Sequence, residues 1–496
     1  MLARRCLIAL FAGICAGMAF VSGADAATRY VSLDGGHDES GGFADWSGAA
    51  TTIQAAVNIS ADGDVILVSN GVYTATVSPV VNITRLVEIQ SVNGAEVTII
   101  DGQGERSGVH INQSTVSDIP VCIAGFTIAN CFAAGSGSGS GSGAGIYIYS
   151  SRDVNISDCI ISNNIANYGG GIHKGWRRNN LTLSNCWFSH NEATNNYGGG
   201  VYAAGNAGRI ELFACRFVSN SAALYGGGFY ASDISVLIDG CQFVSNTCSS
   251  SGGGVMLNIS PDAVISRCTF EDNQSTAPGG ALYVRHSAQN VFVSNCVFRG
   301  NTSSYSADAV GAGVGFHGSG GISSCLIVSN IATAGIGGGL ELGGDNFVRC
   351  DNLTIVGNRA LDGGGLYVRA NVTAEFFNCI IYDNTITGTN QAGSNINFVS
   401  STKLTFNNCC TTPLSQLSAC AGANNFDADP LFIGAVGDEF SYYLQPDSPC
   451  INTGTNQPWM AGAVDLAGHT RPDRFWRVVD VGCYEYVPIG TLFNFR

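Results

Sequence analysis

The stretch that decides the fold is Cys215-Arg216-Phe217-Val218-Ser219-Asn220, followed after a linker by Gly226-Gly227-Gly228-Phe229-Tyr230. The phrase recurs from Cys159 to about Asn384: a Cys, any residue, a large apolar residue, two more, an Asn, a variable linker, three glycines and an apolar-aromatic pair. Its Asn falls at Asn164, Asn191, Asn220, Asn246, Asn273, Asn301, Asn330, Asn358 and Asn384, at gaps of 27, 29, 26, 27, 28, 29, 28 and 26 residues. A near-fixed period, with variation confined to linkers, marks a solenoid. Runs such as Val291-Phe292-Val293-Ser294 and Ala374-Glu375-Phe376-Phe377 are rich in β-formers and bounded by turn residues. Each repeat therefore reads as a few short strands. The lattice of a leucine-rich repeat is missing. The expected fold is all-β, a right-handed parallel β-helix solenoid, the hand following from that of parallel crossovers.

The Asn of each phrase is expected at a turn, pointing inward, with its amide satisfied by the Asn of the next coil. Cys159, Cys186, Cys215, Cys241, Cys268, Cys296, Cys325 and, after a gap, Cys379 occupy one slot of the phrase. In a parallel stack they sit above one another at roughly 4.8 Å, with Cβ atoms too far apart for easy bridging. A buried column of free thiols is expected. There is no CxxC pair, and the column lacks the His or close-paired Cys that zinc needs, so no metal and no cofactor is expected.

The chain has 496 residues and a formal net charge of −15, with 66 glycines and 45% hydrophobic residues. The glycines belong to tight turns and not to disorder, because apolar content stays high. The acidic balance argues against nucleic acid and anionic membranes as partners. Met1 to Ala26 reads as a secretory signal: Arg4-Arg5, an apolar run Leu7 to Val21, and the small-residue site Ala24-Asp25-Ala26. No later apolar run approaches membrane-spanning length, so no transmembrane helix is expected after signal removal. The expected location is extracellular or at the cell surface, outer-membrane-associated.

Thr51 to Val57 reads as a short amphipathic helix with Ile53, Ala56 and Val57 on one face, a cap for the open solenoid end. Ala134 to Gly145 is a Gly-Ser loop, and Lys174, Arg177 and Arg178 read as a solvated basic loop. Three segments are expected: a signal peptide at 1–26, the parallel β-helix with its N-terminal cap at 27–408, and a small C-terminal tail module at 409–496.

Apolar-x-x-Asn with Gly-Gly-(Gly/Ala)-apolar, as in Phe270-Glu271-Asp272-Asn273 and Gly279-Gly280-Ala281-Leu282, resembles the repeats of polymorphic outer membrane proteins. The head from Trp46 to Tyr73 and the tail resemble choice-of-anchor Q proteins with a pectin-lyase-like β-helix. The tail motifs are Asp429-Pro430-Leu431-Phe432, Ser448-Pro449-Cys450-Ile451-Asn452, Asp465-Leu466-Ala467-Gly468 through Arg471-Pro472, and Asp480-Val481-Gly482-Cys483-Tyr484-Glu485. The resemblance implies an exported surface or secreted protein. Within that tail, Cys450 and Cys483 are expected as a disulfide pair in an oxidising compartment.

Counting from each Gly-Gly-Gly, odd positions point inward and even positions outward. The second-position column holds Tyr147, His173, Tyr202, Tyr230, Met256, Tyr283, Gly315, Glu341 and Tyr367, and the fourth-position column Arg285, His317, Gly343 and Arg369. Tyr283, Arg285, His317, Glu341, Tyr367 and Arg369 are thus expected as one outward patch about 15 Å along the axis, hollow at Gly315 and Gly343. Its rings suit sugar stacking, its arginines acidic sugars, and His317, Glu341 and Arg285 are the candidate catalytic groups. The bland alternative is a tyrosine stack that only stiffens the sheet. The partner expected is an extracellular polysaccharide or a host or cell-surface glycan. A non-catalytic, adhesin-like surface protein is the first expectation, and a polysaccharide lyase or glycoside hydrolase the second. The scattered acids offer no paired carboxylates for glycosidase chemistry and no calcium cluster.

Overall fold

The computed structural model describes residues 26–488 apart from 35–37, 39–40, 114–118, 134, 136–140, 151–152, 176–179, 206–207, 305–310, 388–394, 400–401, 435–438 and 473–476. The expected signal, up to residue 25, lies outside the described residues, as do Arg177, Arg178 and part of the Gly-Ser run.

A full coil of the repeat runs through four strands, and the first two coils through three. Around Cys215 the four are Arg209–Phe213, Arg216–Val218, Ser221–Ala222 and Phe229–Ser232. Stacked coils build four parallel sheets, named here in that order, of 14, 13, 10 and 12 strands. The chain turns into the second strand at Ala214 (φ 51°) and into the third at Ser219 (φ 54°). Both corners stay left-handed from coil to coil, at Asp158, Asn185, Asn295, Asn352, Asn378 and Asn408 for the first, and at Asn163, His190, Ser245, Asp272 and Asp383 for the second. Asn and Asp recur there because their short polar side chains tolerate that conformation.

Immediately after the second corner stands the repeat Asn, turned inward as expected. Asn273 Nδ2 donates to Phe243 O (2.8 Å) in the preceding coil and to Asn301 Oδ1 (3.0 Å) in the next. Its Oδ1 accepts from Asn246 N (3.0 Å) and Asn246 Nδ2 (2.9 Å). The ladder runs from Asn164 to Asn384 and continues to Asn395, off the period and only 11 residues on. Beside it Phe188, Phe217, Phe243, Phe270 and Phe298 stack with ring centroids 4.6–4.9 Å apart. The thiol column is buried and free, and Cys409 extends it. Its thiols donate to carbonyls two residues back, as from Cys268 to Ser266 O at 3.1 Å. The glycine triplets let the coils close: Gly226 has φ 65°, and a Cβ on Gly227 would lie 2.3 Å from Thr247 O.

The helix spans Ile53–Ile59, with Thr52 as N-cap accepting from Ala55 N. Ile53, Ala56 and Val57 are buried against the first strands of the stack, Thr28–Val31, Val65–Val68 and Val81–Ile83. Among the described residues no helix is long and apolar enough to cross a membrane.

After Cys409 the chain folds back along the outer face of the second sheet. Tyr442, Cys483 and Tyr484 cover Val297, Leu326, Val328 and Val356. Where no tail lies, the same outward column carries Arg216, Gln242 and Thr269. First-corner asparagines hold the tail's backbone: Asn352 Nδ2 donates to Asp480 O (2.9 Å), Asn378 Nδ2 to Thr455 O (3.0 Å) and Asn408 Nδ2 to Thr453 O (2.9 Å).

The expected Cys450–Cys483 disulfide is corrected: both thiols are free. Cys450 is buried with Cys410, Ile380 and Val481, and Cys483 with Leu326, Val356 and Tyr484, because the tail lays them on different coils. The tail motifs close a buried polar cluster instead. Arg471 Nη1 donates to Glu485 Oε1 (2.6 Å), Asp465 Oδ2 accepts from Glu485 N (2.7 Å), and Asp480 accepts from Asn452 N and Tyr486 N. One guanidinium stands among three buried carboxylates, Asp465, Asp480 and Glu485, with His469 Nδ1 3.3 Å from Asp465 Oδ2. Burial, opposed by Arg471 and reinforced by Asp480, pushes the Glu485 carboxyl up to about 8.

Candidate functional site

The fourth sheet carries the expected column in the expected register. Tyr147 pairs with His173, then Tyr202, Tyr230, Met256, Tyr283, Gly315, Glu341 and Tyr367. These side chains leave the coil interior; of the expected patch Arg285 is exposed, Tyr283, His317, Tyr367 and Arg369 are half-buried, and Glu341 alone is sealed, which corrects its place on an open face. Tyr202 is 5% exposed, Tyr230 6%, Met256 1% and Glu341 0%.

A second aromatic row covers them, which the sequence reading missed. Tyr168, Tyr197 and Tyr225 immediately precede the triplets, so the signal was a recurring Tyr-Gly-Gly-Gly. Tyr197 lies 4.7 Å from Tyr230, Tyr168 5.5 Å from Tyr202, and Tyr202 stacks on Tyr230 at 5.5 Å with planes 1° apart. Tyr168, Tyr197, Tyr225 and Tyr283 stay half-buried, so the wall keeps a partly open aromatic edge.

The wall ends at a hydrogen-bonded chain. The Tyr283 hydroxyl and His317 Nδ1 are 3.1 Å apart, and His317 Nε2 and Glu341 Oε2 2.6 Å. Arg369 Nε donates to the other carboxylate oxygen, Oε1. The expected hollow is filled. A Cβ on Gly315 would lie 2.9 Å from Tyr283 Cδ2, and one on Gly343 2.7 Å from His317 Nε2, so the glycines make room for these rings. Asn346 Nδ2 holds the His317 carbonyl at 2.8 Å.

Burial pushes the Glu341 carboxyl up, but the charges and hydrogen bonds of His317 and Arg369 outweigh it, and the group is held below the usual carboxylate range. Burial and the Glu341 charge push the Tyr283 phenol up to about 12, against Arg285 and Arg369. Glu341, fully buried with both oxygens engaged, cannot itself touch a ligand, which corrects its place among the candidate catalytic groups. His317 has both ring nitrogens engaged, and the Tyr283 hydroxyl ends the chain. Arg285 stands one outward step along the strand from Tyr283 and donates from Nη1 to Asn258 Oδ1 at 3.1 Å. Tyr367, half-buried, flanks Glu341 in register.

Lys174 is corrected too. It is buried, its Nζ 3.4 Å from Gly175 O, and burial pushes its amine down to about 8. Elsewhere, a groove of about 460 Å³ follows the third sheet between Glu192, Ser221, Thr247 and Gln274, floored by Ala193, Ala222 and Cys248. Among the described residues no cluster of His, Cys, Asp or Glu could hold a metal ion.

A family model described as the right-handed beta helix region matches residues 66–243 and 225–332. No curated protein matches the sequence. Similar solved structures include pectate lyase Pel9A, at 13% identity over 94% of this chain and 98% of that one, with a TM-score of 0.41. XylC in complex with xylose is similar at 10% identity over 93% and 98%, TM-score 0.45. The PL6 family alginate lyase AlyGC is similar at 13% identity over 80% of this chain and 56% of that one, TM-score 0.35.

Proposed function

On the premise that the chain belongs to the right-handed β-helix family, we propose that it is an exported surface or secreted protein whose fourth-sheet face contacts polysaccharide. The observation that carries this reading is the half-buried tyrosine edge running along the axis into Tyr283, beside Arg285 and Arg369. Rings spaced by coils suit the repeat of a linear sugar chain, and flanking guanidiniums suit its carboxylate or sulfate groups. Resemblance to choice-of-anchor Q and polymorphic outer membrane proteins supports the same surface placement.

A second reading, a polysaccharide lyase, is favoured by the Tyr283–His317–Glu341 chain. It is a route by which a phenol could exchange a proton with a ligand. One experiment separates the two. Signal-free protein is screened against immobilised acidic and neutral polysaccharides, with absorbance at about 235 nm read for elimination products. Binding of acidic polymers, weakened several-fold by Arg285→Ala and without absorbance, supports the contact reading. Absorbance lost in Tyr283→Phe supports the lyase. Silence on both counts removes the glycan reading, and the tyrosine wall is then only a sheet stiffener.

A further inference from the structure

The hydrogen-bond chain restricts the proton positions at His317. Both Glu341 oxygens accept, one from Arg369 and one from His317 Nε2, and an ionised carboxylate has no proton to give. Nε2 therefore carries a proton whether the ring is neutral or charged. In the neutral ring Nδ1 is left as a bare acceptor, and the Tyr283 hydroxyl, 3.1 Å away, donates to it. The phenol oxygen then offers only lone pairs to anything outside. When the ring gains its second proton, Nδ1 becomes a donor, Tyr283 must accept, and its own proton turns outward.

We propose that His317 is a pH-driven polarity switch for the Tyr283 hydroxyl. With the ring neutral, Tyr283 accepts from sugar hydroxyls. With the ring protonated, it donates to anionic oxygens of carboxylated or sulfated sugars, beside an added positive charge. The switch rests on the polysaccharide reading of this face and names its regulation.

The groups around the ring agree with this use. Tyr283 and Arg285 come from the preceding coil, Glu341 and Gly343 from the following one, and Arg369 from the coil after that. Glu341 steadies the imidazolium at 2.6 Å. Arg285 and Arg369 bring positive charge to Tyr283, against the negative charge of the sealed Glu341. The His317 side chain is 14% exposed, enough to exchange protons with solvent, while Tyr283 and Glu341 hold the ring and Asn346 holds its backbone carbonyl. In the same sheet, His173 is buried among aromatic rings and His110 is half-buried against Tyr147, neither with a carboxylate contact among the described residues, and desolvation pushes both down.

The test uses the full secreted chain and two probes whose charge is constant between about pH 5 and 8: a sulfated oligosaccharide and a neutral one. Nitrogen NMR of His317, read without ligand, gives the neutral tautomer and the titration midpoint. The expected result is an Nε2–H tautomer. Binding of the sulfated probe should tighten about tenfold as pH falls through that midpoint, while the neutral probe does not tighten, since a hydrogen bond to a charged group is worth about that factor. Tyr283→Phe, which keeps the ring and removes only the hydroxyl, should retain the His317 titration and lose most of the pH response. His317→Gln should bind the sulfated probe weakly at every pH. A neutral Nδ1–H tautomer, or sulfated-probe binding that ignores the His317 midpoint, overturns the switch and leaves the polysaccharide reading standing. No binding of either probe, with the expected tautomer present, overturns that reading and the switch with it.

Discussion

Asn273→Ala tests the amide ladder at its middle. The side chain makes four hydrogen bonds, to Phe243 O, to Asn301 Oδ1, and from Asn246 N and Nδ2, at 2.8–3.0 Å in a fully buried column. Alanine leaves Asn246 with two buried donor hydrogens lacking an acceptor. Each orphaned donor costs about 1–3 kcal/mol, so the expected loss is about 4 kcal/mol. The exposed Asn180 provides the control, since its side chain also bridges coils, from Nδ2 to Asp153 Oδ1 (2.8 Å) and at Oδ1 from Arg209 N (2.9 Å), but in contact with water. Asn180→Ala should cost no more than about 1 kcal/mol. The assay is urea unfolding by circular dichroism, with hydrogen exchange at the Asn246 amide as the local readout. If the two variants fall within about 1 kcal/mol of each other and the Asn246 amide stays protected, water has replaced the amide and the ladder is not what holds the coils in register.

Three further outcomes follow from particular contacts. Oxidation by a disulfide reagent should link Cys410 to Cys450, which share one buried cluster, and peptide mapping that finds Cys450 linked to Cys483 instead would overturn the tail's placement. Glu485, raised from about 4.5 to about 8 in the fold, contributes stability that is complete below the lower value and is lost as pH rises through the higher one. Glu485→Gln should therefore flatten the fall in melting temperature across that window, and an unchanged slope would assign the fall to another group. Gly343→Ala would place a methyl 2.7 Å from His317 Nε2, so it should break the Glu341 contact and change the His317 NMR tautomer or midpoint while leaving the circular dichroism spectrum intact.

Much of the fold was legible in advance for a physical reason. In a parallel solenoid the contacts of a residue lie one period away, so a repeat of Asn, Cys and Gly-Gly-Gly names its own neighbours. The pairing of Tyr283 with Gly315, then Glu341 and Tyr367, followed from that register and from pleat alternation. The recurring Tyr-Gly-Gly-Gly was visible, but that its tyrosines cover the outward column was not, because a turn residue has no fixed facing in the pleat. Nor was the filling of the Gly315 and Gly343 gaps by the Tyr283 and His317 rings, which depends on side-chain torsions and not on register.

The sequence alone determined the solenoid, its period, its buried amide and thiol columns, and which side chains leave the coil interior. Period and alternation are properties of the chain itself. Tertiary structure alone decided that Glu341 is sealed between His317 and Arg369, that Lys174 is buried, and that the tail lies along the second sheet with Cys450 beside Cys410. Those contacts depend on where non-repeating side chains and a returning segment come to rest. No repeat encodes them, because each depends on a non-repeating side chain or on the returning tail, even where the separation, 28 residues for Glu341 and Arg369, falls on the period.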